Sequence, residues 1–221
     1  MTFSIVGRCA RTGMVGMAIS TSSIAVTGRC VWVRGKVGAV ATQNITDPAL
    51  GTRILDLLEA GTSADRAVRQ VADETPHRAW RQLSAIDING GTGHYTGAKA
   101  SPVAASKIGR DCVAAGNILA NADVPIAMTR RFEAETSIHL PERLLLALEA
   151  GLGAGGEHGP VHSAGLLVAH EQAWSIVNLR IDWADDGPIA GLRALWEAYQ
   201  PQMQDYLTRA IDPPRAPGTP P

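Results

Sequence analysis

The second residue of the chain, in Met1-Thr2-Phe3-Ser4-Ile5-Val6, carries a hydroxyl. Ribosomal processing commonly removes a methionine when the next side chain is as small as threonine, and removal would make Thr2 the N-terminus. Such a threonine brings its own general base, because an α-amino group titrates near ~8 and is partly neutral at physiological pH. The amine can take the Oγ proton, directly or through one water, while Oγ attacks a carbonyl. Position alone is weak support, since most chains begin with a methionine and Thr2 could simply start a strand. Acyl transfer also needs a fixed N–H donor where negative charge develops. Asn117 is the first candidate for that oxyanion donor, because it interrupts the apolar run Cys112-Val113-Ala114-Ala115-Gly116-Asn117-Ile118-Leu119. An amide left unpaired there would cost ~1–3 kcal/mol. Ser22, Ser23, Gln43, Asn44 and His162 are weaker candidates for orienting a substrate.

Other residues could do chemistry but sit in the wrong surroundings. Gly151-Leu152-Gly153-Ala154-Gly155-Gly156 satisfies GxGxxG, yet it follows a helical pattern and leads into a strand, the reverse of a dinucleotide-binding turn. It reads as a flexible loop that delivers Glu157, His158, His162 and Ser163 to the mouth of the next strand. His158 and His162 have the spacing of a helical metal pair, but Gly159-Pro160 between them disfavours a helix and no nearby His or Cys completes a zinc set. The expectation is therefore no metal and no cofactor. Ser163 lacks a nucleophile elbow, and Cys30 reads as core. The dispersed tryptophans Trp32, Trp80, Trp174, Trp183 and Trp196 read as packing residues, and His94 and His170 as structural.

The elements that must position Thr2 follow from periodicity. Thr2 to Arg8 alternates as a strand, Arg11-Thr12-Gly13 turns, and Met14 to Thr21 returns, placing four hydroxyls, Ser20 to Ser23, at the hairpin's exit. Gly16 and Ala18 would let another layer or a substrate come close. Val37 to Gln43 is a third strand. Two helices follow, one carrying Leu50, Ile54, Leu57 and Leu58, the other starting behind Ser63 with Ala67, Val68 and Val71. Gln82 to Ile88 and Thr92 to Thr96 make a second hairpin around Asn89-Gly90-Gly91. Val103 to Ile108 is ambiguous. After the Asn117 strand come helices from about Asp123 to Glu135 and Leu140 to Ala150, strands at Ser163 to Ala169 and Trp174 to Ile181, and a long helix carrying Ile189 to Tyr199 that ends the fold. Antiparallel strand groups separated by helix pairs predict an α+β fold, a four-layer αββα sandwich of two packed antiparallel sheets between helix layers. The expected organisation is one domain over 1–211 and a Pro-rich tail over 212–221 that buries little.

Composition narrows the function. The chain has 221 residues, 45% hydrophobic and 19% charged, with a net charge of −1, which gives no electrostatic footprint for nucleic acid. No run approaches the roughly 18 apolar residues of a membrane span, and three scattered cysteines suit a reducing compartment. A cytoplasmic protein acting on a small-molecule or peptide substrate, without nucleic acid or membrane, is the expectation; a homo-oligomer is left open.

Laid out this way, the chain resembles the DUF1028 family, a group of bacterial proteins regarded as N-terminal nucleophile (Ntn) hydrolase-like. The resemblance covers roughly residues 2 to 210. It is carried by Thr2-Phe3-Ser4-Ile5-Val6, Gly38-Ala39-Val40-Ala41-Thr42-Gln43, Gly116-Asn117, the segment Glu142 to Gly151, and Ala154-Gly155-Gly156 leading to Ser163-Ala164. It implies an αββα fold and Thr2 as nucleophile. The chain departs from the family pattern at Ala115, at Gly159-Pro160-Val161-His162, and at Ser22-Ser23, where other members carry an arginine and an aromatic residue. If these positions line the pocket, substrates differ within the family. The expected activity is an N-terminal-threonine amidohydrolase, the alternative a non-catalytic binding or scaffold protein on the same fold.

Overall fold

A computed structural model describes residues 1–218. Two antiparallel sheets face each other. The larger has the order β10-β9-β2-β1-β8-β7, with β1 (Thr2–Arg8) paired to β2 (Val15–Thr21) on one side and β8 (Cys112–Asn117) on the other, then β7 (Ala105–Gly109), β9 (Ser163–Ala169) and β10 (Ser175–Ile181) outward. The smaller has the order β3-β4-β5-β6, from Val31–Arg34, Gly38–Asn44, Arg81–Asp87 and Thr92–Thr96. Every pairing is antiparallel. Helices α2 (Ala49–Glu59) and α3 (Ala64–Glu74) pack on the small sheet. Helices α4 (Val124–Ala134), α5 (Leu140–Gly153) and α6 (Pro188–Tyr199) pack on the large one, so the architecture is the αββα sandwich.

The period-2 pattern of β1 decides what faces what. Phe3 and Ile5 turn to the helices, where they meet Met128, Phe132, Leu144 and Leu148. Val6 turns inward between the sheets with Met17, Ile19, Ala39 and Val113, and Ser4 on the same face reaches across to Gln43. The register Thr2↔Asn117 and Phe3↔Ser20 places the start of β1 between the end of β8 and the end of β2. Gly16 shows what the small residues of β2 are for: a Cβ there would come within 2.5 Å of the Leu167 carbonyl and 3.1 Å of Leu144, so glycine lets α5 and β9 close on the sheet.

Four elements differ from the sequence expectation. A short helix α1 (Thr27–Cys30) and the strand β3 precede the third strand read from periodicity, and β7 settles the ambiguous stretch as an edge strand. Beyond α6 the chain adds α7 (Met203–Ile211), whose Met203 and Leu207 pack against the core. Of the tryptophans only Trp196 is fully buried; Trp80, Trp174 and Trp183 are exposed, so packing does not account for them. Within the expected tail, Pro213–Arg215 form an exposed 3-10 turn, while residues 219–221 lie outside the described residues. No helix among the described residues is long and apolar enough to cross a membrane.

Candidate active site

Thr2 is buried at the head of the central strand, 6% exposed. Its Oγ lies 3.3 Å from Thr21 Oγ at the end of β2. Both hydroxyls donate to the Met1 carbonyl oxygen. Thr21 Oγ in turn stands 3.2 Å from Ser23 Oγ and accepts the Ser23 N–H at 3.4 Å. The hairpin therefore sets two hydroxyls on one carbonyl, because antiparallel pairing brings the first residue of β1 opposite the last residues of β2.

On the other side of Thr2 an amide network ties the sheets together. Ser4 Oγ donates to Gln43 Oε1 at 2.8 Å, and Gln43 Nε2 donates to Gln82 Oε1 at 2.8 Å. Asn117 Nδ2 donates to that same Gln82 oxygen at 3.0 Å. Gln82 Nε2 donates to the Gly116 carbonyl at 3.0 Å and to Thr96 Oγ1 at 3.2 Å. The Gly116 carbonyl can only accept, so it fixes which end of the Gln82 amide faces it and makes Asn117 present its NH2 to Gln82. Asn117 Oδ1 is left buried without a hydrogen-bond partner among the described residues. Asn117 thus stands beside Thr2 as expected, but the group it leaves over is an acceptor. The donor aimed at a carbonyl oxygen is Thr21.

A carboxylate completes the surroundings. Gly155 and Gly156 have φ of 119° and 59°, left-handed values that suit glycine and turn the chain sharply after α5. The loop then runs beside the residues that follow Asn117: Leu119 bridges Glu157, Ala120 N–H donates to the Gly156 carbonyl at 3.0 Å, and His158 N–H to the Ile118 carbonyl at 2.8 Å. That is the work of the glycine-rich motif. Glu157 is 3% exposed, and neither carboxylate oxygen has a hydrogen-bond partner among the described residues. Burial pushes its pKa above the ordinary value; the Ser22 hydroxyl and backbone, the Met1 amine and His162 pull it partly back. Ser22 is close enough to exert that pull but outside hydrogen-bonding geometry.

The remaining sequence candidates divide. Ser22 and Ser23 belong to the neighbourhood of Thr2 through Glu157 and Thr21. His162 borders it: its N–H donates to the Thr21 carbonyl at 2.9 Å, its Nδ1 lies 2.9 Å from the Ala184 carbonyl, and its ring stacks on Trp183 at 4.4 Å. Gln43 acts at one remove, through Gln82. Asn44 is committed elsewhere, to the Trp80 carbonyl at 2.6 Å and the Ser101 N–H at 3.2 Å. Ser163 is buried and holds the turn after β2, donating to the Ser23 carbonyl at 2.7 Å. The Cys30 thiol is pushed up to about 11 by burial, against the weaker pull of Arg29. His158 is exposed, and no three His, Cys, Asp or Glu side chains gather as a metal set among the described residues. Gln82 carries no sequence signal of its role, and Glu157 was marked only by its place at the strand mouth.

Thr2 lines none of five described cavities of about 400, 570, 390, 250 and 270 Å³. Met1, 41% exposed, covers its hydroxyl.

No curated protein matches the chain. Among solved structures, it is similar to a DUF1028-family protein from Silicibacter pomeroyi, 33% identical over 93% of this chain and 89% of that one, with a TM-score of 0.86. It is also similar to the Anbu (Gly-1) mutant from Hyphomicrobium sp. strain MC1, 15% identical over 91% and 96% of the two chains, TM-score 0.44, a likeness too slight to argue from. Residues 2–192 match the family described as a family of unknown function, DUF1028, and the chain belongs to it.

Proposed function

We propose that this chain is an N-terminal nucleophile hydrolase, in which Thr2, freed by loss of Met1, hydrolyses an amide or related C–N bond of a small molecule or short peptide. One observation carries the reading: the Thr2 and Thr21 hydroxyls converge on a single carbonyl oxygen at the head of the central strand. With Met1 gone, the Thr2 amine takes the Oγ proton as Oγ bonds to the substrate carbonyl carbon. Thr21 Oγ donates to the oxygen that becomes negative. The C–N bond breaks, the leaving amine carries away the proton held by the Thr2 amine, and an ester on Thr2 remains. Water then attacks the ester, its proton passing through the amine back to Oγ, and a carboxylic acid leaves. No oxidant, metal or cofactor enters this balance.

A non-catalytic scaffold is favoured by one fact, that Thr2 lines none of the described cavities while Met1 covers it. A protein whose mass shows loss of Met1, screened against small amides, lactams and N-acyl amino acids, separates the two. Turnover is expected from the processed chain. It should fall by about a thousandfold or more in Thr2→Ala, with folding intact, and vanish when an extra lysine between Met1 and Thr2 keeps the threonine nitrogen acylated. A Thr2→Ala protein as fast as its parent overturns the reading.

A further inference from the structure

Two buried residues near the head of β1 carry three acceptors without partners among the described residues: Asn117, paired with Thr2 in the sheet, leaves Oδ1, and Glu157 leaves both carboxylate oxygens. The backbone brings their segments together, since just past β8 Leu119 bridges Glu157 and the His158 N–H donates to the Ile118 carbonyl. Neither is free to relax: Asn117 is clamped by Gln82, and the Glu157 loop by those bonds. A carboxylate buried without a hydrogen-bonded partner is costly, so Glu157 either keeps its proton or pairs with a cation, and a ligand that brings the cation gains that pairing.

Met1 shows which cation fits. Its carbonyl takes the Thr2 and Thr21 hydroxyls, and its amine, on the next carbon, lies within electrostatic reach of Glu157. A carbonyl at the nucleophile with a primary amine one carbon away is the layout of an α-aminoacyl group. Met1 clears that space when it is removed.

Building on the reading of Thr2 as nucleophile, we propose that Glu157 and Asn117 form an ammonium-recognition subsite, so that the substrates are α-aminoacyl amides: amino-acid amides or the first residue of a short peptide. A primary ammonium has three N–H donors, and the two Glu157 oxygens with Asn117 Oδ1 supply three acceptors. An acetylated nitrogen has one N–H and no charge. The site discriminates against it because the carboxylate would stay buried and uncompensated.

The test uses the processed protein and three p-nitroanilides, of alanine, of N-acetylalanine and of propionic acid. The kcat/KM for the free amine should exceed each of the others by about a hundredfold, and Glu157→Gln should collapse that ratio, chiefly through KM. Equal turnover of the acetylated substrate overturns the subsite while leaving Thr2 as nucleophile. Calorimetry on Thr2→Ala provides an arm without chemistry: alaninamide should bind and N-acetylalaninamide should not. Alaninamide binding without turnover in the parent supports the subsite and overturns the hydrolase reading. Absence of both preference and binding overturns the subsite. The parent's substrate ratio and the Thr2→Ala contrast need no change at Glu157, so they decide the matter even if E157Q does not fold.

Discussion

Strand β1 ends in two places of opposite character. At its far end a cavity of about 400 Å³ is lined by Cys9, Arg11, Arg110, Asp111, Glu133 and Arg143. There most polar groups have hydrogen-bond partners, although only one ion pair is formed among the described residues: Arg8 Nη1 meets Asp111 Oδ1 at 2.8 Å, with Arg8 Nε left without a partner, Glu133 Oε1 accepts the Arg110 backbone N–H at 2.6 Å, and Arg11 Nη2 donates to the Ser137 carbonyl at 3.1 Å. Arg143, 4% exposed, donates from Nε and Nη2 to the Phe132 carbonyl at 3.2 and 3.0 Å and stacks on the Phe132 ring at 4.0 Å. The Thr2 end has little open space but keeps buried acceptors unpaired. Room is a poorer guide to chemistry here than unmet polar groups, because a fold rarely tolerates the latter without use.

Gln82 is the residue on which the Thr2 end depends most. Replacing it by leucine fills similar volume but strands Gln43 Nε2, Asn117 Nδ2 and the Gly116 carbonyl, which all use Gln82. At ~1–3 kcal/mol for each buried group left unpaired, a loss of ~3 kcal/mol or more is expected. Urea unfolding should show a lowered midpoint at unchanged slope. Because Asn117 loses its clamp, turnover should also drop by about tenfold or more. An unaltered midpoint would mean that the network does not join the sheets.

Arg143→Met perturbs the other end by less, and only in stability. The change keeps much of the apolar stem but leaves the Phe132 carbonyl unpaired and removes the stacked cation, for a loss of ~1–3 kcal/mol. Since Arg143 lies in the first turns of α5, lines the cavity at the far end of β1 and makes its hydrogen bonds to Phe132 alone, kcat/KM per folded molecule should stay within about twofold of the parent. A large loss of turnover would place the functional site at the cavity instead.

Much of the positioning was legible from periodicity. Alternation in Thr2 to Arg8 and the run ending at Asn117 predict two strands, and Thr2 does pair with Asn117. The helix pairs follow from their apolar spacing, with ends displaced by a few residues. β3 escaped because Val31–Arg34 is only four residues long, too short to show a period, and β7 because Ala105–Gly109 is an exposed edge. α7 escaped because it packs on the assembled core by a few residues only. The polarity of the Asn117 amide is beyond any local pattern: it is set by a Gln82 whose own orientation depends on a carbonyl of the opposite sheet. Glu157 is similarly silent, since its burial arises only when the glycine turn folds the loop against Ile118 and Leu119.

The smallest effect is a slope in stability against pH, and it distinguishes the two ends without any substrate. Burial raises the folded-state pKa of Glu157 above the ordinary 4.5, with Ser22, the Met1 amine and His162 opposing the rise. Between the unfolded and folded values the native state holds the proton more often than the unfolded chain does. Stability therefore falls as pH climbs through that window, and below the unfolded value the contribution is fully favourable. Glu157→Gln carries no such proton. The unfolding free energy of the parent minus that of E157Q should decline from pH 4.5 upward and level off once Glu157 is ionised in both states. A neutralising cation in the subsite opposes this decline, so saturating alaninamide should flatten it in Thr2→Ala, where no hydrolysis intervenes. A difference that is flat without ligand would mean that Glu157 is already compensated in the folded chain.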